Sequence, residues 1–162
     1  VLDSGITAIP SGCFGGCAKL ASVTIPETVT TMNGSEFVNC TGLQTITLPS
    51  AVTTLSGTFS GCTGLSSVSL PSSLTTLTSY ALSRCSSLKS ISIPSGVTTI
   101  SSYAFTGTSL TTLTMLPSTP PSLASGVFDN APTSIVVPAG TLAAYQAATN
   151  WSTYSSNMKE AS

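Results

Sequence analysis

Aliphatic residues return along this chain at fixed offsets from a cysteine. Leu20, Val23, Ile25 and Pro26 follow Cys17, and Leu43, Ile46, Leu48 and Pro49 follow Cys40. The same text recurs as Leu65, Val68, Leu70 and Pro71 after Cys62, and as Leu88, Ile91, Ile93 and Pro94 after Cys85. The four cysteines lie 23, 22 and 23 residues apart. A strict period of this length predicts a solenoid, in which each unit buries its apolar side against its neighbours.

Counting from the cysteine as position one, position four is leucine, seven and nine are aliphatic, and ten is proline. Positions seven and nine alternate with polar residues, so they share one face of a short strand. Proline ends that strand because it has no N–H to give a sheet ladder. A second inward pair follows at positions thirteen and sixteen: Val29 and Met32, Val52 and Leu55, Leu74 and Leu77, Val97 and Ile100. A large residue then returns as Phe37, Phe59, Leu82 and Phe105. The Ser102 to Gly107 segment reads as a short helical turn into the corner. About 23 residues are too few for a strand and a full helix per coil. Strands are therefore expected on one side, and short strands or 3₁₀ turns on the other.

The pattern also reaches beyond the four clean copies. Asp3, Ile6, Ile9 and Phe14 fit the second half of a repeat, and the repeat starting at Cys40 is one residue short near Ser56 and Gly57. Leu110, Leu113, Met115 and Pro117 make a degenerate copy with Thr108 in the cysteine position, and the offsets resume at Leu123 and Phe128 although Pro120 replaces an aliphatic. Ile135 to Pro138 reads as one more strand. Leu142, Tyr145 and Ala148 then fall at helical spacing behind a Gly140-Thr141 cap signal. The expected fold is mainly β, a repeat solenoid over residues 1–138 closed by a helical cap and tail over 139–162, with Tyr145, Trp151 and Tyr154 packing on the last coil and the tail from Met158 fraying. Val1 and Leu2 leave an open N-terminal edge that upstream repeats or a second copy of the chain would cover.

Composition changes the picture chiefly through what is missing. Charged residues make up 6% of the chain, against roughly 25% in ordinary globular proteins, and net charge is −1. Without a basic stripe, nucleic acid is not expected as a partner. No apolar run reaches the roughly 18 residues needed for a membrane-spanning helix, so no direct membrane insertion is expected. The chain opens inside a repeat rather than at methionine, which reads as a processed protein or a fragment. Five cysteines, four of them in register, favour a column of reduced core thiols over a disulfide framework, with Cys13 outside the column.

Histidine is absent, which removes Ser-His-Asp and Cys-His catalysis and the usual zinc and haem ligands together. Glu27 and Glu36 share a coil, but both read as solvated loop residues rather than as a catalytic pair. The acidic residues are too scattered for a calcium loop, and the thiols are too far apart along the stack to grip one ion. No metal, cofactor or catalytic residue is expected. Asn33-Gly-Ser and Asn39-Cys-Thr match a glycosylation sequon, a weak signal on its own.

Strand positions six and eight point outward. They carry Ser22 and Thr24, Thr45 and Thr47, Ser67 and Ser69, Ser90 and Ser92, and Thr112 and Thr114. Such a hydroxyl stripe lacks the Trp, Tyr and Arg anchors of tight protein sites and suits shallow, repeated contact with a glycan or extended polymer. Tyr80 and Tyr103 hold the same place in adjacent repeats. They read first as corner packing with wet hydroxyls, and alternatively as an aromatic platform flanked by Arg84 and Lys89.

The motif Cys-x-x-Leu-x-x-Val-x-Ile-Pro-x-x-Val-x-x-Ile, followed by Tyr-Ala-Phe, resembles the BspA-type leucine-rich repeat of bacterial surface proteins. Residues 85–107 are the cleanest copy, and Val137 to Trp151 is similar to the cap that closes many such arrays. The resemblance implies a secreted or cell-surface, non-catalytic adhesion module for a host extracellular protein or glycan, or else a spacer in a larger exported protein. Self-association through the open N-terminal coil is a further expectation.

Overall fold

The computed structural model describes residues 2–162, so Val1 of the expected open edge lies outside the described residues. The chain forms a parallel-strand solenoid of about seven turns. In order, the elements are β1 (Ala8–Ile9), β2 (Thr31–Met32), β3 (Thr45–Thr47), β4 (Thr54–Leu55), β5 (Ser67–Ser69), β6 (Thr76–Leu77), β7 (Ser90–Ile93), β8 (Thr99–Ile100), β9 (Thr112–Met115), β10 (Ser122–Leu123) and β11 (Ser134–Val137). A helix α1 (Leu142–Ala147), a 3₁₀ helix (Ser152–Asn157) and β12 (Met158–Glu160) complete the chain.

The coils supply short strands to two sides, the coil after Cys17 giving only a bridge at Ser22 to the first. On the first side β3 pairs with β5, and β7, β9, β11 and β12 follow in order; on the second, β4, β6, β8 and β10 form one sheet beside the β1–β2 pair. All pairings are parallel and hold the sequence register: Ile46 faces Val68, Ile91 faces Leu113, and Leu55, Leu77 and Ile100 align across the second side. The second side consists of two-residue strands because the turns on either side leave no room for more.

Leucines 43, 65 and 88 at position four are fully buried, as are Val29, Leu74, Leu77 and Ile100. Phe14, Phe37 and Phe59 stack at 5.2 and 5.7 Å, Phe105 and Phe128 stack at 5.5 Å, and Tyr154 meets Phe128 edge-on. The corner before each cysteine is not helical. Consecutive turns there are broken by residues in the left-handed region, including Tyr80, Arg84, Tyr103 and Gly107.

Three thiols of the cysteine column lie inside, and all five are free. The Sγ of Cys40, Cys62 and Cys85 donates to the carbonyl of Phe14, Phe37 and Phe59, each in the preceding coil, at 3.0, 3.0 and 3.2 Å. Cys17 departs from the expected buried column. It is exposed, because no described coil lies before it to supply the covering carbonyl. Burial pushes the Cys40 and Cys85 thiols up and raises Cys62 to about 12, with a smaller contribution from the neighbouring thiol. Alkylation of the folded protein should therefore modify Cys13 and Cys17 and spare the other three, which react only in denaturant. Mass spectrometry of modified peptides checks this, and rapid native labelling of Cys62 would contradict the column.

Glu36 corrects a second expectation. It is fully buried, not solvated, because it occupies the inward position held by Ala81 and Ala104 in later coils. One carboxylate oxygen accepts the Gly34 N–H, while Oε2 has no partner. Thr58 fills the same position one coil on and accepts from the Ser56 N–H at 3.2 Å. Glu36→Thr keeps that type of contact and removes the orphaned oxygen, so it should stabilise the fold by about 1–2 kcal/mol. Thermal denaturation reads the gain; a lower melting temperature would show that the carboxylate holds the coil.

The terminal unit is more built than its sequence suggests. Tyr145 and Trp151 are fully buried against each other, edge to face at 5.3 Å. Their polar ends reach carbonyls of the last coil: the Tyr145 hydroxyl donates to Pro117 O and Trp151 Nε1 donates to Pro121 O, each at 2.8 Å. Asn150 and Asn157 donate likewise to Leu123 O and Pro132 O. The tail does not fray. Met158, Lys159 and Glu160 pair with Ile135, Val136 and Val137, and the Glu160 carboxylate accepts the N–H groups of Gly140 and Leu142. Thr141, expected to cap α1 through its side chain, instead donates its hydroxyl to Pro138 O.

Candidate functional site

The hydroxyl stripe lies along the first-side strands, on two ladders that part between β5 and β7. Ser22 bridges to Thr45, Thr45 and Thr47 face Ser67 and Ser69, and Ser90 and Ser92 face Thr112 and Thr114. Within each ladder, parallel pairing sets two columns of hydroxyls, with rungs about 4.8 Å apart. A shallow groove of about 560 Å³ runs over the middle of this face, between Ser67, Ser69, Ser90, Ser92 and Thr114, with Leu116 at its rim. Leu116 is 52% exposed, a large apolar side chain that the sequence reading passed over because it follows Met115 outside the alternation. A second groove of about 530 Å³ lies over Ser22, Thr24, Thr45 and Thr47.

In the turns beside the strands, several hydroxyls hold the stack together. Thr28, Ser73, Thr75, Thr78, Ser87, Thr111 and Thr133 each donate to a carbonyl of the preceding coil, at 2.6 to 3.1 Å. Among the described residues, none of the ten stripe hydroxyls has a protein hydrogen-bond partner. The contrast separates structural hydroxyls from free ones, and sequence alone does not carry it: Thr111 is bonded and Thr112 beside it is not.

Tyr80 and Tyr103 stand in a different part of the coil, in the turn that follows the second-side strand. Their rings stack at 5.3 Å with 12° between planes, and the side chains are 49% and 47% exposed. Both residues have φ of 64°, in the left-handed region. The equivalent residue is Gly12, Gly57 or Gly126 in three other coils and Ser35 in a fourth, all with φ from 57° to 69°. A bulky side chain there costs of order 1–2 kcal/mol, so two tyrosines stand where glycine is the easier choice. Arg84 is exposed in the same turn, its N–H donating to Thr106 O at 2.6 Å. Lys89 is exposed just before β7 and gives its carbonyl to Thr111. The fourteen sequence-predicted positions thus fall into a strand-face group and a turn group, with Lys89 at the edge of the first.

Glu27 is tied to the coil rather than poised for chemistry. Its carboxylate accepts the N–H and the hydroxyl of Ser50, both at 2.8 Å, which holds its carboxyl below the usual range. No group of three or more His, Cys, Asp or Glu able to hold a metal occurs among the described residues. No helix among the described residues is long and apolar enough to cross a membrane.

The repeat just described matches the BspA type leucine rich repeat region, in six copies over residues 7–134. The chain belongs to that family. Among solved structures, this BspA-type array is similar to a leucine-rich repeat protein from Bacteroides ovatus, at 31% identity and a TM-score of 0.70, over 82% of this chain and 37% of that one. It shares the fold of a leucine rich cell surface protein from Faecalibacterium prausnitzii, at 24% identity and TM-score 0.63, over 82% of this chain and 45% of the other. It also shares the fold of the Treponema pallidum leucine-rich repeat protein, at 23% identity and TM-score 0.58, over 85% and 54% of the two chains. The BspA-type array spans about a third to a half of these relatives. Comparison with curated proteins gave no match.

Proposed function

We propose that this array is a non-catalytic binding module, secreted or displayed on a cell surface, whose strand face contacts a host extracellular protein or glycan. Membership in a leucine-rich repeat family and the cell-surface description of the Faecalibacterium protein support that reading. The observation that carries it is the set of ten unbonded hydroxyls that repeat at the same two strand positions along a shallow groove. Each contact on such a face is weak, and repetition along the stack supplies affinity through many simultaneous contacts. The scarcity of charge keeps nonspecific attraction to nucleic acid and anionic membranes low.

The test is binding of the purified chain to immobilised matrix proteins and mucin glycans, with Ser69→Lys and Ser92→Lys as paired variants. Both substitutions put long charged side chains into the groove on outward positions and leave the core untouched. Saturable binding that falls roughly tenfold or more in the double variant is expected. Absence of saturable binding by the native chain would overturn the module and leave a spacer.

A further inference from the structure

The turn group carries a separate site, and it deepens the binding-module reading on which it rests. Along the left-handed rungs the order is Ser35, Gly57, Tyr80, Tyr103, Gly126. Side chains on these rungs lean toward the next coil: a Cβ placed on Gly126 would lie 3.4 Å from the Tyr103 ring. Tyr80 accordingly stacks on Tyr103 with one face and turns the other toward Gly57. A Cβ placed on Gly57 would meet only the Ser35 hydroxyl, at 3.2 Å, and no atom of Tyr80. Gly57 also lies in the shortened coil, where three residues, not four, separate Leu55 from Phe59.

The geometry points to a sugar-binding slot: a pyranose ring seated on the Gly57 rung and stacked on the free face of Tyr80, with Tyr103 backing it. One coil spacing, about 4.8 Å, is the separation at which a flat ring packs on an aromatic one. A pyranose has the matching two-sided chemistry. Its axial C–H face packs on the tyrosine, and its hydroxyl rim meets the Ser35 hydroxyl at the Gly57 rung, while Arg84 leans the other way, toward Gly107. A nucleotide would bring phosphates to a rung from which Arg84 leans away, and an aromatic side chain would leave the Ser35 hydroxyl unpaired. The strained backbone fits this purpose: a half-exposed ring in a position suited to glycine is explained by what it touches outside the fold.

Two variants of the whole chain separate a binding role from a structural one. Gly57→Tyr extends the ring stack by one rung and fills the slot, at a φ that Tyr80 and Tyr103 already adopt. Tyr80→Gly removes the shelf and relieves the left-handed strain. The probes are an array of neutral oligosaccharides ending in glucose, galactose, mannose or N-acetylhexosamine, followed by saturation-transfer NMR on those that bind. The native chain should bind at least one saturably, with transfer to the ring C–H protons, and each variant should lose roughly tenfold or more of that affinity. Tyr80→Gly should keep or raise the melting temperature, which a merely structural tyrosine would not allow. Sugar binding undiminished in Gly57→Tyr, or a fall in melting temperature in Tyr80→Gly, overturns the slot. Saturable binding to matrix proteins with no oligosaccharide bound overturns the slot and leaves the binding module standing; failure of both removes both.

Discussion

Trp151→Ala is expected to cost about 3–5 kcal/mol and to open the array from its C-terminal end. The indole is fully buried, packs edge to face on Tyr145, and donates to Pro121 O at 2.8 Å. Truncation creates a cavity at the C-terminal end, where the solenoid core would otherwise meet water, and it strands a buried carbonyl. Trp151→Phe keeps most of the apolar volume and loses the N–H, so its cost should be smaller, about 1–2 kcal/mol. Chemical denaturation of the two variants measures the difference. Hydrogen exchange should show protection lost first in β10 and β11, since stability in a solenoid is held between neighbours. A melting temperature matching the native chain would mean that the terminal unit is an appendage and not a lid.

Leu65→Ala should be nearly as damaging, at about 2–5 kcal/mol, because Leu65 lies fully buried in the middle of the stack between Leu43 and Leu88. Ser67→Ala, two residues away on the outward stripe, should leave stability within about 0.5 kcal/mol. The pair tests the assignment of Leu65 to the inward side and of Ser67 to the outward strand face. Equal effects on the melting temperature would refute the assignment of both faces.

Most of this fold was legible because each inward position recurs in several coils, so a single misleading residue could not hide the period. Cys62, Leu65, Leu74 and Leu77 share their places with Cys85, Leu88, Val97 and Ile100, and all eight are buried. What misled was reading residues by type instead of by column. Glu36 looked like a surface acid, yet its column also holds Ala81 and Ala104, and position overrides polarity in a stacked core. The glycines at 12, 57 and 126 were signals of a left-handed rung, which Tyr80 and Tyr103 inherit. Met158 to Glu160 matches no repeat position, so its pairing with β11 had no signature in the period. The binding surfaces were legible only as outward positions. Which hydroxyls remain free depends on backbone carbonyls one coil away, and these carry no mark in the side-chain sequence.

The closing strand β12 gives the molecule a direction. Its outer edge presents Lys159 and Glu160, both exposed, where a further strand would otherwise dock. Charges on an edge strand discourage pairing with another chain. Pairing of another strand onto β12 is therefore disfavoured, while each coil elsewhere touches only its two neighbours. Coils can be duplicated or deleted within the array without disturbing its terminus, so reach can be retuned by copying about 23 residues at a time. Length becomes a heritable dial, set independently of the surface that does the gripping.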